Sequence, residues 1–370
     1  MVKVLIVEDS RVLSEYLYYI LSGDPKIQVI GNVSNGKQAI EFLRENQPDV
    51  ITMDIEMPVM GGLEATRKIM SSTPVPIIVV TASRNAREVQ TTMEALAAGA
   101  ISIIEKPVGL GHPLEKERRD KLLTMVKVLA QVKVITRKPH PTIKPVSIPA
   151  IKPATGRPAG RKSEPSIADF SKKKIVAVGL SAGGPTVLHT IFSKITEKFP
   201  FPILVVQHIT EGFLEGLVNW LSRIIMIPVH IATVDETILP GHIYFAPDNY
   251  QMGVNSLGKI KLSNCKKKKE CCPSVAHLFN SIAVEYEKHS ISIILTGMGE
   301  DGAKELKILR DAGSITIAQD KESSLVHGMA GVAIKLGAAD YVLNPEEIAD
   351  ILKEIEKYFM NNYRSNHEGK

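Results

Sequence analysis

With 370 residues the chain is longer than one ordinary domain, and its 44% hydrophobic and 23% charged residues indicate a soluble globular protein of two domains. No run of about 18 apolar residues occurs, so no membrane insertion is expected, and a start without the apolar region of a signal peptide predicts a cytoplasmic location. Much of the net charge of +5 lies in a proline-rich segment and a lysine run, as in solubilising spacers, and does not indicate a nucleic-acid partner.

The first part of the chain alternates apolar runs with helix-like patterns. The apolar runs predict strands at 2–7, 27–31, 49–53, 76–81 and 100–104. Helices are expected between them, so the order of elements is that of a doubly wound parallel sheet with helices on both faces. Residues 1–125 are therefore predicted to form a first α/β domain.

A segment of different composition follows at 126–171. Prolines recur at nearly regular intervals between positions 139 and 165, separated mainly by Lys, Thr, Ser and Gly. Such a chain cannot continue a helix or bury a core, and it predicts a semi-extended, mobile tether between two domains.

The rest of the chain alternates again and predicts a second, mainly parallel α/β domain over 172–362. Strands are predicted at 174–180, 202–208, 229–234, 242–246, 291–296, 314–318 and 340–343. Helices are predicted near 184–195, 211–225, 274–288, 302–312 and 345–360. In such sheets ligands gather at the carboxyl ends of the strands. The three cysteines, Cys265, Cys271 and Cys272, form neither a disulfide framework nor a good zinc site and are expected to be incidental.

Polar side chains stand where the strands of the first domain end. Glu8 and Asp9 follow the first strand and Asp54 follows the third, while Thr81 and Lys106 end later strands. Each is an ordinary turn residue by itself, but the ends of parallel strands converge on one rim. Carboxylates crowded there repel one another and favour a hard cation such as Mg²⁺. The cation can neutralise charge while Asp54 attacks a phosphoryl group.

The same residues lie in segments that resemble response-regulator receiver domains, namely DIEMPVMGGLEATRKIM at 54–70 and the Glu-Lys-Pro step at 105–107. The resemblance implies that Asp54 accepts phosphate from a histidine kinase. It implies that Thr81 and Lys106 contact the phosphoryl group and report its arrival. The Mg²⁺ ligands it implies are the carboxylates of Glu8, Asp9 and Asp54 and the main-chain carbonyl of Glu56.

In the second domain, a G-x-S-x-G motif at 179–183 lies between a predicted strand and a predicted helix, which is the setting of a nucleophile elbow with Ser181 exposed. A phosphate-binding turn is the alternative, but the spacing is not G-x-G-x-x-G and no Lys-Ser/Thr pair follows. His208 and Asp301 follow two other strands of the domain, where each alone reads as a polar cap. Because all three project from one edge of the sheet, they predict a Ser–His–Asp hydrolase. Their order differs from the Ser, Asp, His order of α/β-hydrolases.

Five segments of this domain resemble the chemotaxis protein-glutamate methylesterases (CheB): GLSAGG, VVQHIT, LPGHIYFAPDN, PSVAHLF and ILTGMGEDGA. The resemblance implies Ser181 as nucleophile, His208 as general acid/base, Asp301 as orienting carboxylate and the backbone N–H of Met298 in the oxyanion hole. The implied substrate is a glutamate γ-methyl ester on a methyl-accepting chemoreceptor, with deamidation of receptor glutamines as a further activity. The esterase needs no cofactor in this family, and a monomer is expected. In relatives the unphosphorylated receiver covers the cleft, and the long tether here predicts a leaky form of this inhibition.

The chain departs from the family pattern near the expected substrate cleft. Ala276 stands where an aspartate is usual, Cys272 where a basic residue is common, and HGMA at 327–330 replaces FGMP. The segment APDNYQM also lacks a histidine that is common before its methionine. A methylesterase of a non-chemotactic system and an inactive receiver-controlled adaptor therefore remain alternatives. A transcriptional regulator would need a DNA-binding output domain of about 70–100 residues. The second domain is about twice that size and rich in strands, so a transcriptional regulator is not expected.

Overall fold

The computed structural model describes residues 1–81, 86–109, 111–132, 170–265 and 271–367. In the first domain the strands are β1 Val2–Val7, β2 Ile27–Val33, β3 Val50–Met53, β4 Ile77–Thr81 and β5 Ser102–Glu105. The helices are α1 Arg11–Ser22, α2 Gly36–Phe42, α3 Gly62–Ser72, α4 Ala86–Ala97 and α5 Glu115–Leu129. The strands form one parallel sheet in the order β2-β1-β3-β4-β5, which confirms the predicted doubly wound fold.

Continuous apolar sequence explains the middle of this sheet. Every residue of β3 and β4 is buried, as expected for parallel strands covered by helices on both faces. The start of α3 packs so closely on the end of β3 that a Cβ at Gly62 would lie 2.0 Å from the carbonyl oxygen of Asp54. Only glycine fits there, and this contact fixes the loop that carries Asp54.

The second domain contains nine strands among the described residues. They are β6 Ile175–Leu180, β7 Ile203–Gln207, β8 Val229–Ile231, β9 Ile243–Phe245, β10 Tyr250–Val254, β11 Ile260–Asn264, β12 Ser290–Ile294, β13 Ile315–Gln319 and β14 Tyr341–Leu343. The helices are α6 Gly184–Phe192, α7 Leu214–Ile224, α8 Val275–Glu285, α9 Ala303–Asp311, α10 Met329–Lys335 and α11 Pro345–His367. Seven strands form a parallel sheet, as predicted, and their order in the sheet is β14-β13-β12-β6-β7-β9-β8.

Besides shifts of a few residues at the ends of elements, the structure differs from the sequence-based elements in the following places. The antiparallel hairpin of β10 and β11 and the short helix α10 were not predicted. Helix α5 runs past residue 125 to Leu129, and α11 runs past 360 to His367. Residues 133–169 lie outside the described part of the chain, so the tether over 126–171 and the domain limits remain predictions.

The strand order places a crevice at the centre of the second sheet. From β6 the chain moves to β7 on one side, and β12 later pairs with β6 on the other side. Helices that leave neighbouring strands in opposite directions open a gap at the carboxyl ends, which is where ligands bind in such folds. Ser181 and His208 directly follow β6 and β7, and Asp301 lies in the loop after β12.

The first domain packs against this edge of the second domain. A Cβ built on Gly216 of α7 would lie 2.1 Å from Cγ1 of Val89 on α4, so the two helices are in close contact. The hydroxyl of Thr210 donates a hydrogen bond of 3.1 Å to the carbonyl of Ile103 on β5. Among the described helices, none combines the length and apolarity needed to cross a bilayer.

Candidate functional site

The acidic residues predicted from the first domain do lie together. Oxygen atoms of Glu8, Asp9 and Asp54 all lie within 4.8 Å of one another at the carboxyl ends of β1 and β3. The ammonium group of Lys106 lies 2.9 Å from Oδ2 of Asp54 and 3.0 Å from Oε2 of Glu8. Glu8 and Asp54 are buried, whereas Asp9 is exposed and opens the pocket to solvent.

This pocket holds more negative charge than its lysine neutralises. Burial raises the pKa of Asp54 even though Lys106 opposes the shift. Burial, and then the charge of Asp54, raise the pKa of Glu8 in the same way. Burial lowers the pKa of Lys106, but the two carboxylates outweigh it and the net shift is upward. Oε2 of Glu8 also lacks a well-aligned donor within the described residues. An oxygen-lined pocket with this charge imbalance fits a hard divalent cation.

The remaining residues predicted for this pocket lie at the same rim. Thr81 ends β4 and is buried, and its carbonyl accepts a hydrogen bond of 2.9 Å from the backbone N–H of Lys106. Glu56 is exposed in the loop after β3. Its carbonyl as a cation ligand, and the roles of Thr81 and Lys106 toward a phosphoryl group, remain predictions.

In the second domain, Ser181 stands on a sharp turn between β6 and α6. Its backbone N–H donates to the carbonyl of Thr296 at 3.0 Å, and its own carbonyl accepts from the N–H of Gly184, also at 3.0 Å. Gly183 has a φ of 80°, the left-handed conformation that glycine adopts without strain. The turn is therefore held from both sides, and the serine is at its apex.

A residue that the sequence reasoning missed ties Ser181 to His208. Gln207 is the last residue of β7, and its side-chain amide donates to the carbonyls of Ser181 at 2.8 Å and His208 at 2.9 Å. The backbone N–H of His208 donates to the carbonyl of Leu180 at 2.9 Å. A glutamine that closes an otherwise apolar strand was the available signal for this role.

Asp301 lies beside His208 and also caps a helix. Its Oδ2 is 3.0 Å from Nε2 of His208, although the N–H direction is not well aligned for a hydrogen bond. The same oxygen accepts from the N–H of Val275 at 2.7 Å, and Oδ1 accepts from the hydroxyl of Ser274 at 2.9 Å and the N–H of Ala276 at 3.1 Å. Asp301 therefore lies beside His208 and also caps a helix. The helix that it caps is α8, and not α9, which follows it in the chain. Alanine in place of the usual aspartate at position 276 does not affect the contact with Asp301, because the backbone N–H of Ala276 makes it.

These contacts keep the Asp301 carboxylate charged. Burial raises its pKa, but His208, the Val275 N–H and the Ser274 hydroxyl outweigh burial, and the net shift is downward. A carboxylate fixed by three donors at a helix N-terminus can orient an imidazole and stabilise it when protonated.

Ser181 and His208 line one cavity of about 140 Å³, and Ile103 and Met125 of the first domain form its opposite wall. No hydrogen bond joins the Ser181 and His208 side chains in the part of the chain that the structure describes. Among the described residues no hydrogen bond is found for the backbone N–H of Met298, and its place in an oxyanion hole remains a prediction. The placement is compatible with acyl transfer, and the individual catalytic roles remain predictions.

Of the three cysteines, Cys265 and Cys272 have their Cα atoms 6.2 Å apart, close enough for their side chains to touch. Cys271 is free and exposed, and it lies beside His208 and Asp301.

Comparison with known proteins gives matches to both domains. Residues 176–352 match the CheB methylesterase family and residues 4–116 the response regulator receiver domain. A protein-glutamate methylesterase/protein-glutamine glutaminase 1 from Syntrophus aciditrophicus is 46% identical over 96% of this chain and 98% of its own length. A protein of the same name from Nitrosospira multiformis, without the numeral, is 46% identical over 96% of this chain and 97% of its own. The crystal structure of the Thermotoga maritima CheB methylesterase catalytic domain is 36% identical, covers 50% of this chain and 98% of its own, and has a TM-score of 0.47.

Proposed function

This chain belongs to the CheB methylesterase family, and we propose that it is a phosphorylation-controlled serine hydrolase of glutamate γ-methyl esters on chemoreceptors. The observation that carries the proposal is the placement of His208 against Asp301 and beside Ser181 at the central crevice of the second sheet. The names of its relatives add glutamine deamidation, which uses the same acyl-transfer steps.

In the proposed reaction the Ser181 hydroxyl attacks the ester carbonyl and passes its proton to His208. Because Nε2 of His208 faces Asp301, the proton is taken at Nδ1. The negative charge that develops on the carbonyl oxygen is stabilised by the N–H of Met298, and one such donor contributes about 3–4 kcal/mol. His208 then returns the proton to the departing methoxide, and methanol leaves.

Water hydrolyses the acyl-enzyme by the same route in reverse. His208 removes a proton from the water, hydroxide attacks the carbonyl, and the proton returns to Ser181. The product is an ionised glutamate side chain, so the receptor gains one negative charge. With a glutamine substrate the leaving group is ammonia, and the remaining steps are the same.

The contact between the domains supports control by the receiver. A receptor helix with its side chains is about 10–12 Å wide, and a cavity of about 140 Å³ walled by Ile103 and Met125 cannot admit it. The first domain therefore has to move before a receptor can reach Ser181.

Strand β5 connects the acid pocket to this contact. Ile103 accepts the hydrogen bond from Thr210, and Lys106 lies three residues further along at the Asp54 carboxylate. The proposed phosphodonor is a histidine kinase, and Glu8, Asp9 and Asp54 would hold Mg²⁺, which neutralises charge during phosphoryl transfer. When Asp54 is phosphorylated, Lys106 gains a new anionic partner, and its displacement would loosen the Ile103–Thr210 contact.

The direct test measures methanol and ammonia released from methylated receptor by the full chain, by Ser181→Ala and by the 172–370 fragment. We expect release by the wild type, none above background by Ser181→Ala, and a phosphodonor-independent rate from the fragment. Equal release by wild type and Ser181→Ala would reject the hydrolase and leave the adaptor. Equal rates of full chain and fragment without phosphodonor would reject control by the receiver. Mass spectrometry of candidate receptors would identify the substrates.

A further inference from the structure

A second set of potential ligands surrounds the catalytic histidine. The Sγ of Cys271, a ring nitrogen of His208 and a carboxylate oxygen of Asp301 all lie within 4.8 Å of one another. Nε2 of His208 is shielded from solvent and has no aligned hydrogen-bond partner within the described residues. A thiol, an imidazole nitrogen and a carboxylate that converge around such a nitrogen form a ligand set of mixed sulfur, nitrogen and oxygen donors.

The backbone holds Cys271 in this position. Its carbonyl accepts a hydrogen bond of 2.8 Å from the side-chain amide of Gln251 on β10, and the oxygen of the same amide accepts from the N–H of Ser274 at 2.8 Å. The next residue, Cys272, lies with its Cα atom 6.2 Å from that of Cys265. The Cys271 thiol is therefore fixed beside the His208–Asp301 pair and is open to solvent on its other side.

We propose that Cys271, His208 and Asp301 form an inhibitory binding site for a divalent cation of the Zn²⁺ type. Zn²⁺ takes thiolate, imidazole and carboxylate ligands at about 2.0–2.3 Å and commonly has three protein ligands plus water. Tetrahedral ligands at those distances lie roughly 3.3–3.8 Å from one another, so small side-chain rotations close this set around an ion. The hard Mg²⁺ proposed for the receiver does not compete, because it avoids thiolate ligands.

Inhibition follows from the protons that the ion displaces, and this half of the inference rests on the proposed function. The cation replaces the thiol proton of Cys271, which is released to solvent. It also takes the lone pair of Nε2, so the single proton of the neutral His208 ring is confined to Nδ1. That nitrogen is the one that accepts the proton of Ser181 in the proposed reaction, and it is then already protonated. The Asp301 carboxylate is at the same time drawn toward the ion and away from the imidazole.

Cobalt tests the site without reference to catalysis. The metal-free full chain is titrated with Co²⁺, and the near-ultraviolet thiolate-to-cobalt charge-transfer band is recorded. We expect a saturable band in the wild type and in the Cys265→Ser/Cys272→Ser control, which retains Cys271. The band should be lost in Cys271→Ser and in His208→Ala. Absence of the band in the wild type, or its persistence in Cys271→Ser, would overturn the site.

Zinc tests the inhibition. Each protein is compared with its own metal-free methanol release, and reversal by a chelator is recorded. We expect the Zn²⁺ concentration for half-inhibition to be at least about 10–100-fold higher for Cys271→Ser than for the wild type. Loss of a group that only hydrogen-bonds to a metal ligand already lowers metal affinity by that factor, and Cys271 would be a ligand itself. Asp54→Asn should match the wild type, which excludes the receiver pocket as the source. A cobalt band without zinc inhibition would refute the inhibitory role but leave the metal site in place. Absence of methanol release from every metal-free protein would instead reject the proposed function.

Discussion

Replacing Asp301 by Asn separates its two roles, because the amide keeps the shape of the carboxylate and loses its charge and half of its acceptors. In the wild type Oδ1 accepts from the Ser274 hydroxyl and the Ala276 N–H, while Oδ2 accepts from the Val275 N–H and lies 3.0 Å from Nε2 of His208. In either orientation of the amide, its NH₂ group faces one of the two sets, and at least one backbone N–H of α8 loses its acceptor.

The magnitude follows from that count. One buried N–H left without a partner costs about 1–3 kcal/mol, and the lost charge at the helix N-terminus costs about 0.3–1 kcal/mol. We therefore expect the free energy of unfolding of the second domain to fall by roughly 2–3 kcal/mol, a decrease in melting temperature of about 4–12 °C. Loss of the carboxylate behind the histidine should lower the rate of methanol release by about 10⁴-fold.

Ser274→Ala is the matched control. Ser274 also caps α8, since its hydroxyl accepts from the N–H of His277 at 3.3 Å, and its loss should cost about 0.5–2 kcal/mol. Asp301 keeps its charge and its place beside His208 in this variant, so most of the activity should remain. The assay combines thermal unfolding with methanol release from methylated receptor well below both melting temperatures. If Ser274→Ala loses as much activity as Asp301→Asn, the loss reflects the helix start, and the reasoning on Asp301 is refuted.

Three further changes test the domain contact, a buried carboxylate and the loop that carries Asp54. Gly216→Val places a side chain against Val89 and should weaken the contact between the domains by about 1–3 kcal/mol. Methanol release without phosphodonor should therefore rise by about 5–150-fold, up to the rate of the 172–370 fragment. An unchanged rate would contradict the contact. Glu356→Gln should lower the free energy of unfolding by about 1–3 kcal/mol at neutral pH. Burial raises the pKa of Glu356, but its hydrogen-bond donors outweigh burial and the net shift is downward. The stability difference between wild type and Glu356→Gln should therefore shrink as the pH falls below 4.5 and the carboxylate is protonated. Gly62→Ala, whose Cβ would lie 2.0 Å from the carbonyl of Asp54, should lower the first domain's melting temperature and slow its phosphorylation by a small-molecule phosphodonor.

Controls for these changes lie close by. Glu215→Ala, at an exposed position on α7 next to Gly216, should leave the unphosphorylated rate unchanged. For Glu356 the reference is the exposed Glu354, whose change to Gln should alter stability by less than about 1 kcal/mol at any pH. A stability difference that stays constant across the pH range would show that the charge of Glu356 contributes nothing.

The strands and the positions of the predicted site residues were accessible from sequence because their signals are local. Buried parallel strands such as β4 appear as unbroken apolar runs, and the residue after such a run lies at the rim whatever the helices do. Ser181, His208 and Asp54 all follow strands in this way. The hairpin of β10 and β11 escaped because Tyr250–Val254 is short and changes from exposed to buried along its length without clean alternation.

Contacts between distant segments could not be predicted in this way. Asp301 caps a helix that begins 26 residues earlier in the chain, and Gln207 links two turns through its amide. The sequence around Cys271 indicates no role for it, yet the structure brings its thiol beside His208 and Asp301.

The sequence by itself therefore determined the two α/β domains, the order of most strands and helices, and the candidate nucleophile, histidine and acids, because hydrophobic periodicity and short motifs are properties of neighbouring residues. Only the tertiary structure decided which groups surround each of those residues, where the first domain packs against the second, and which cysteine lies beside His208. Those outcomes depend on the packing of segments that lie far apart in the chain, where a shift of an ångström makes or breaks a hydrogen bond.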